Sequence, residues 1–244
     1  MLRCKTDYVT ESTATDLLLI PGLLLSADLW AGQVAGLADL CNPQVTMAQT
    51  EHDSIPAMAA AILARAPPHF ALAGMSMGGY VALEIVAQAP TRVTRLALVD
   101  TSARADTPEG RTQRLALIRQ SQFGTFTGLS RLTFGQWVHP ERARDAELFG
   151  RVKAMTMTLG RDVFVRQQTA AVNRTDYRPG LHKIACPTVV LCGREDRVTP
   201  LPHAEEMAEA ITGARLEVIE HCGHLSPLEQ PEAVTSVLRD WLQA

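Results

Sequence analysis

Three residues that lie far apart in the sequence, Ser76, Asp196 and His224, carry the groups needed to attack a carbonyl carbon. A serine hydroxyl is a weak nucleophile unless a base takes its proton, and a histidine with a near-neutral pKa suits that role. A carboxylate behind the histidine fixes its tautomer and stabilises the imidazolium that forms. Together these residue types indicate nucleophilic acyl transfer.

Ser76 lies in a G-x-S-x-G motif at residues 74–78. The apolar run at residues 70–73 is typical of a buried strand, and residues 81–87 have apolar side chains at helical spacing. A sharp turn between a strand and a helix exposes the serine hydroxyl at the sheet edge. The amide groups at the start of the helix favour negative charge at the same place. Alternatively, the motif is a glycine-rich turn with an incidental serine.

His224 is the preferred base because it follows the last predicted strand and a flexible Gly223, and can therefore reach back over the strand ends. His221 precedes it in the same loop and is the closest competitor. The other histidines have no strand-end position that would pair them with Ser76.

Asp196 is the preferred acid because it lies at the tip of the loop that follows the apolar run at residues 188–191. It could instead belong to a solvated run of charges, since charged residues flank it on both sides. Asp100, at the end of the strand at residues 93–99, is the alternative carboxylate.

An acyl transfer site also needs two N–H groups that face the developing oxyanion. The backbone N–H of Met77, just after the serine, is one candidate donor. The second is the N–H of Leu23, which follows Pro21 and Gly22 after the first predicted strand. Leu24, Met75 and Trp137 are expected to line an apolar substrate pocket, although leucine and methionine are more often core residues.

Strands and helices alternate along the chain, and this pattern predicts a mostly parallel, doubly wound α/β sheet. The carboxyl ends of its strands would then form one edge, which collects the loops that carry the candidate residues. The predicted strands are residues 17–20, 45–47, 70–74, 93–99, 188–191 and 216–219, and the predicted helices are residues 27–40, 55–64, 81–87, 201–212 and 233–242.

The alternation stops at residues 103–183, which are polar and have apolar residues at helical spacing only. We predict three or four helices and no strand there, forming a cap over the carboxyl edge of the sheet. The core would then comprise residues 1–102 and 184–244. The alternative is a separate helical domain without contact with the site.

These motifs resemble those of the α/β-hydrolase fold family. The order nucleophile, acid, base is that family's order. The segment after Ser76 is similar to the branch that holds small bacterial esterases, 3-oxoadipate enol-lactonases, cofactor-free haloperoxidases and meta-cleavage-product hydrolases. Many relatives have His-Gly after the first strand where this chain has Pro21-Gly22, and the short N-terminal segment implies that the usual first two strands are reduced or missing.

The composition of the 244 residues bounds the class of protein: 46% are apolar, 20% are charged, and the net charge is −3. The charge argues against a nucleic-acid partner, and the longest apolar stretch, residues 17–25, is too short to span a membrane. The five cysteines form no C-x-x-C pair, so neither a zinc site nor a disulfide framework is expected. Reduced cysteines suit the cytoplasm, and residues 1–7 lack the apolar segment of a signal peptide.

We therefore expect a serine hydrolase that acts on a small carboxylic ester or lactone, without metal or organic cofactor, as a monomer or homodimer. Two alternatives remain open at this point. The same three residues could support hydrolysis of a carbon–carbon bond in a vinylogous diketone, or perhydrolysis. The chain could also be a catalytically silent binding module.

Overall fold

The computed structural model describes residues 15–244, which form one parallel sheet with helices on both faces. Residues 1–14, which include Cys4, lie outside the described residues. The expectation that the usual first two strands are reduced or missing concerns this segment and is therefore not tested. The strands are β1 (Thr15–Ile20), β2 (Cys41–Val45), β3 (Phe70–Met75), β4 (Val93–Val99), β5 (Thr188–Gly193) and β6 (Arg215–Ile219). Their order is β2-β1-β3-β4-β5-β6, and all neighbours run parallel.

Nine α-helices accompany the sheet among the described residues. They are α1 (Ala31–Leu37), α2 (Ile55–Leu63), α3 (Met77–Gln88), α4 (Pro108–Ser121), α5 (Arg131–Trp137), α6 (Ala146–Val172), α7 (Leu201–Ala210), α8 (Ser226–Glu229) and α9 (Pro231–Gln243). Short 3-10 helices cover Ala27–Trp30, Ala48–Thr50, Pro140–Arg142 and Arg178–Lys183. None of the helices in residues 15–244 combines the length and the apolar composition needed to cross a membrane.

Each face of the sheet carries its own hydrophobic core, because successive strand residues point to opposite sides. Leu18 and Ile20 of β1 belong to the cluster that includes buried residues of α2, α3 and α7. Leu17 and Leu19 belong to the cluster that includes buried residues of α1 and α9. Every residue of β3 and β5 is buried, which explains their continuous apolar sequences. The predicted α/β class is confirmed.

Three predicted elements begin four residues away from the expected position. The helix predicted at residues 81–87 is α3, which begins at Met77, directly after Ser76. The second strand is Cys41–Val45 rather than residues 45–47, and it tolerates Pro43 because β2 is an edge strand. The predicted helix at residues 27–40 begins as a 3-10 helix, changes to α1 at Ala31 and ends at Leu37. Helix α2 has its N-cap at Ser54, whose side chain accepts a hydrogen bond from Ala57 N–H.

Residues 103–183 form α4, α5, α6 and two 3-10 helices, and contain no strand. Helix α6 is interrupted at Gly160, whose φ of 75° is left-handed. Phe134, Val152 and Met155 of this insertion belong to the same buried cluster as β1 and β3. The insertion is therefore packed against the core, contrary to the alternative of a separate domain. The division into a core (1–102, 184–244) and a cap (103–183) stays a prediction.

Candidate active site

Ser76 lies in a strained turn between β3 and α3, with φ 54° and ψ −117°. This conformation is costly for a residue with a side chain, and it persists where the surrounding structure enforces it. The backbone is packed tightly enough to explain the motif's glycines. A Cβ on Gly74 would lie 2.3 Å from the carbonyl oxygen of Gly78, and one on Gly78 would lie 2.2 Å from that of Ile20.

His224 reaches Ser76 from the loop after β6, and its Nε2 lies 2.9 Å from the serine Oγ. The backbone N–H of His224 donates to the carbonyl oxygen of Trp137 in the insertion, at 2.7 Å. His221 is exposed, and its ring packs against His139 with centroids 5.9 Å apart. The structure thus brings His224, and not His221, to the serine.

Asp196 lies behind His224, with its Oδ2 2.7 Å from Nδ1 of the imidazole. Its Oδ1 accepts hydrogen bonds from the N–H groups of Val198 and Thr199, and its Oδ2 also accepts one from the Thr199 hydroxyl. The residue is 4% exposed. It is therefore a buried and fully hydrogen-bonded carboxylate, and not part of a solvated run of charges.

Charge pairing shifts the pKa values of both groups. Burial alone lowers the pKa of His224, but the charge of Asp196 and the hydrogen bond to it outweigh burial, so the net shift is upward. Burial alone raises the pKa of Asp196. The charge of His224 and the hydrogen bonds from His224 and Thr199 lower it by more than burial raises it, so the net shift is downward. Each group therefore stabilises the charged form of the other.

Asp100, the alternative acid, is fully buried at the end of β4 but is not hydrogen-bonded to His224. Its Oδ1 accepts from Gly193 N–H at 2.9 Å, and its Oδ2 accepts from the Ser226 hydroxyl at 2.5 Å. Burial and then the nearby charge of Asp196 raise the pKa of Asp100 above its usual range.

One group of potential metal ligands lies beside the site. Ligand atoms of Asp100, Cys192 and Asp196 lie within 4.8 Å of one another. Asp196 is already bonded to His224, and burial raises the pKa of the Cys192 thiol, which opposes the thiolate that a metal requires. This donor set does not suit a metal ion.

The loop after β1 lies directly against Ser76. A Cβ on Gly22 would lie 3.2 Å from the Cβ of Ser76. Among residues 15–244, the backbone N–H groups of Leu23 and Met77 have no protein acceptor. They thus remain available to a ligand, as candidate oxyanion donors must be.

A cavity of about 970 Å³ opens beside Ser76 and His224, between the core and the insertion. Leu24 and Trp137 line it, as the sequence predicts. The expectation for Met75 is wrong: its side chain is fully buried in the core under Gly22 and does not line the cavity. Several other lining residues carry no signal in the sequence, namely Tyr80, Arg114, Phe126, Phe164, Gln168 and Val198.

Two buried residues that sequence reasoning missed hold the loops of the site. Glu229 of α8 accepts hydrogen bonds from the N–H groups of Gly223 and Leu225, on either side of His224, and from His139 N–H. Gln167 of α6 accepts one from Leu24 N–H at 2.8 Å. Glu229 and Gln167 reach these loops only through the tertiary fold, and the sequence around each residue carries no signal of this role.

Comparisons with known proteins agree with the fold. Residues 17–237 match the sequence model of the Alpha/beta hydrolase family. A pimeloyl-[acyl-carrier protein] methyl ester esterase from Nitrosomonas europaea is 27% identical over 240 residues, covering 93% of this chain and 95% of the relative. A 3-oxoadipate enol-lactonase from Acinetobacter baylyi is 25% identical over 166 residues, covering 68% of this chain and 61% of the relative. The structure of a thermophilic esterase from Thermogutta terrifontis superposes with a TM-score of 0.85 and 27% identity, covering 95% of this chain and 90% of that chain.

Proposed function

Since this chain belongs to the alpha/beta hydrolase family, we propose that it is a serine hydrolase that cleaves a small carboxylic ester or lactone. The observation that carries the proposal is the continuous hydrogen-bonded line from Ser76 to Asp196. Ser76 Oγ lies 2.9 Å from His224 Nε2, and His224 Nδ1 lies 2.7 Å from Asp196 Oδ2. Ser76 and His224 face a cavity large enough for a small-molecule substrate.

The first half of the reaction forms an acyl-enzyme. Nε2 of His224 takes the hydroxyl proton while Oγ of Ser76 forms a bond to the carbonyl carbon. The resulting imidazolium is stabilised by Asp196, whose charge raises the pKa of His224. His224 then donates that proton to the leaving alcohol oxygen as the carbon–oxygen bond breaks. For a lactone, the alcohol stays attached to the acyl group.

The second half releases the acid. His224 takes a proton from water, the hydroxide oxygen attacks the acyl carbon, and the proton returns to Oγ of Ser76 as the ester bond to the enzyme breaks. In both halves the backbone N–H groups of Met77 and Leu23 would hold the oxyanion. Such a donor contributes about 3 kcal/mol or more to transition-state stabilisation. No step requires a metal or an organic cofactor.

The relatives support ester and lactone substrates. One is an esterase for a methyl ester of an acyl group, and another is an enol-lactonase. Both activities release an acyl group from an oxygen leaving group, which is the reaction that we propose for Ser76. The large apolar part of the cavity wall, with Leu24, Phe126 and Phe164, suits the acyl chain of such a substrate.

Turnover of short p-nitrophenyl esters by Ser76→Ala tests the proposal. We expect the variant to lose activity by a factor of about 10⁴ or more, because the nucleophile itself is removed. Ser236→Ala, an exposed serine of α9, is the matched control and should keep wild-type activity. Wild-type turnover in Ser76→Ala would refute the assignment, and product analysis would identify the bond that is cleaved.

A further inference from the structure

A group of charged side chains lies in the wall of the cavity, in addition to Ser76 and His224. Among the described residues that line it, only Asp106 and Arg114 have charged side chains besides the candidate base. Arg114 belongs to α4 of the insertion, and its side chain is 25% exposed. The charge therefore sits in a partly enclosed wall, where water screens it less than at the surface.

This charged group has an excess of positive charge. Asp106 Oδ2 accepts from Arg114 Nε at 2.8 Å, and its Oδ1 lies 2.6 Å from Arg174 Nη1. Arg174 is 7% exposed and stacks on the ring of Tyr80, 4.5 Å from the centroid. Two guanidinium groups therefore share one carboxylate, which leaves a net charge of about +1 in the wall because arginine stays protonated.

Two hydrogen-bond donors of this group remain available. Arg114 uses Nε for Asp106 and Nη1 for the side-chain oxygen of Gln168, at 2.8 Å. Its Nη2 and the Nε2 of Gln168 have no protein acceptor among residues 15–244, and neither atom is among the fully buried ones. Both residues line the cavity, so the two donors can serve a bound ligand.

We propose that Arg114 and Gln168 form a subsite for a carboxylate at the end of the substrate remote from the cleaved ester. This inference rests on the proposed function, since it names the substrate class of the same site. An arginine fork pairs well with a planar carboxylate, and the unbalanced charge of the wall is neutralised when such a group binds. The preferred substrate is then a monoester of a dicarboxylic acid, or a lactone that bears a carboxylate.

Tyr80 is one helical turn after Ser76, about 6 Å further along the axis of α3. Arg174 stacks on its ring and shares Asp106 with Arg114, so this chain of contacts joins the subsite to the helix that carries Ser76 at its start. Tyr80 lines the cavity and lies under Arg174, which links the two ends of the site. The spacing predicts an optimum chain length, because only an acyl chain of suitable length reaches Arg114 while its ester carbonyl is at Ser76.

The experiment compares monomethyl esters of the dicarboxylic acids from succinate to suberate with the methyl esters of monocarboxylic acids of equal carbon number. We expect the wild-type kcat/KM to favour the dicarboxylate monoester by about tenfold or more at the best length, since a charged hydrogen bond contributes that much. The difference should appear mainly in KM. A wild-type enzyme that prefers the neutral ester at every length would overturn the subsite.

Arg114→Gln should abolish this preference while neutral esters are still hydrolysed. Arg119→Gln is the matched control, because Arg119 lies on the same helix, is exposed and does not line the cavity. An unchanged preference in Arg114→Gln, or an equal loss in Arg119→Gln, would contradict the proposal. If Arg114→Gln does not fold, Arg114→Lys is the second test, because the single ammonium group of lysine cannot bind Asp106 and a substrate carboxylate side by side as a guanidinium does. A reduced preference for the dicarboxylate monoester in Arg114→Lys supports the subsite, and an unchanged preference overturns it.

These outcomes are distinct from failure of the proposed function. If Ser76 is not the nucleophile, Ser76→Ala hydrolyses both ester series at the wild-type rate. If only the subsite is wrong, Ser76→Ala is inactive on both series and Arg114→Gln keeps the wild-type preference.

Discussion

The side-chain oxygen of Gln167 accepts a hydrogen bond from the backbone N–H of Leu24 at 2.8 Å, which ties helix α6 of the insertion to the loop after β1. Leu24 has a left-handed φ of 54°, so this loop is held in a conformation that an unsupported leucine rarely adopts. The neighbouring Leu23 is the proposed oxyanion donor. The insertion thus contacts the loop of the site as well as lining the cavity.

Gln167→Met tests this relationship with a side chain of similar size that cannot accept the hydrogen bond. We expect kcat to fall about tenfold or more, because a displaced oxyanion donor stabilises the transition state less. The free energy of unfolding should fall by about 1 kcal/mol, since the hydrogen bond is lost and Leu24 N–H replaces Gln167 Nε2 as the unpaired buried donor. Gln167 Nε2 is buried and has no partner among the described residues. An unchanged kcat would show that Gln167 does not position the loop.

Glu229→Gln tests the support of the His224 loop. The carboxylate accepts hydrogen bonds from three backbone N–H groups, and an amide would place a donor against one of them. We expect the free energy of unfolding to fall by about 2 kcal/mol, and kcat to fall as His224 loses its alignment. Thermal denaturation and steady-state kinetics measure both effects. Glu232→Gln, at an exposed position of α9, should change neither.

Asp196→Asn and Asp100→Asn form a matched pair that decides between the two candidate acids. Asp196→Asn should lower kcat by about 10⁴-fold, because the imidazole loses the carboxylate that fixes its tautomer. Asp100→Asn should cost far less activity, since Asp100 bonds to Gly193 and Ser226 rather than to His224. Equal losses, or a larger loss for Asp100→Asn, would reverse the assignment.

The parts of the site that could be predicted from the sequence are those set by local pattern. The G-x-S-x-G turn at Ser76 follows a strand and precedes a helix, and both Asp196 and His224 follow strands in chain order. Met75 was misassigned because proximity to Ser76 in sequence does not fix orientation: as the last residue of β3, it points into the core.

The remaining parts depend on long-range packing. Leu24 and Gln167 are 143 residues apart, and only the packing of the insertion against the core brings them together. Arg114 and Gln168 likewise meet because α4 packs against α6. A polar helix with an arginine is usually a solvated one, so the sequence gives no reason to place Arg114 at a cavity.

The pH dependence of kcat/KM should follow the raised pKa of His224. The base must be neutral, so activity should rise with pH through a pKa above the ordinary value of about 6.5 and then level off. The contribution of His224 to the free energy of unfolding has the opposite pH dependence. Protonated His224 stabilises the folded state fully below about pH 6.5, and this stabilisation is lost as the pH rises through the folded pKa.

The residual activity of Asp196→Asn supplies the check on this profile. Its apparent pKa should lie below that of the wild type, because the charge that raises the pKa of His224 is gone and burial lowers it. A profile that is identical in both proteins would show that the titrating group is not His224.

If Ser76 is an activated nucleophile, a fluorophosphonate should label it, and peptide mass spectrometry locates the label. We expect one adduct per chain, on the peptide that contains Ser76, with a labelling rate strongly reduced in His224→Ala. An adduct on another residue, or no adduct on a protein that still hydrolyses esters, would contradict it.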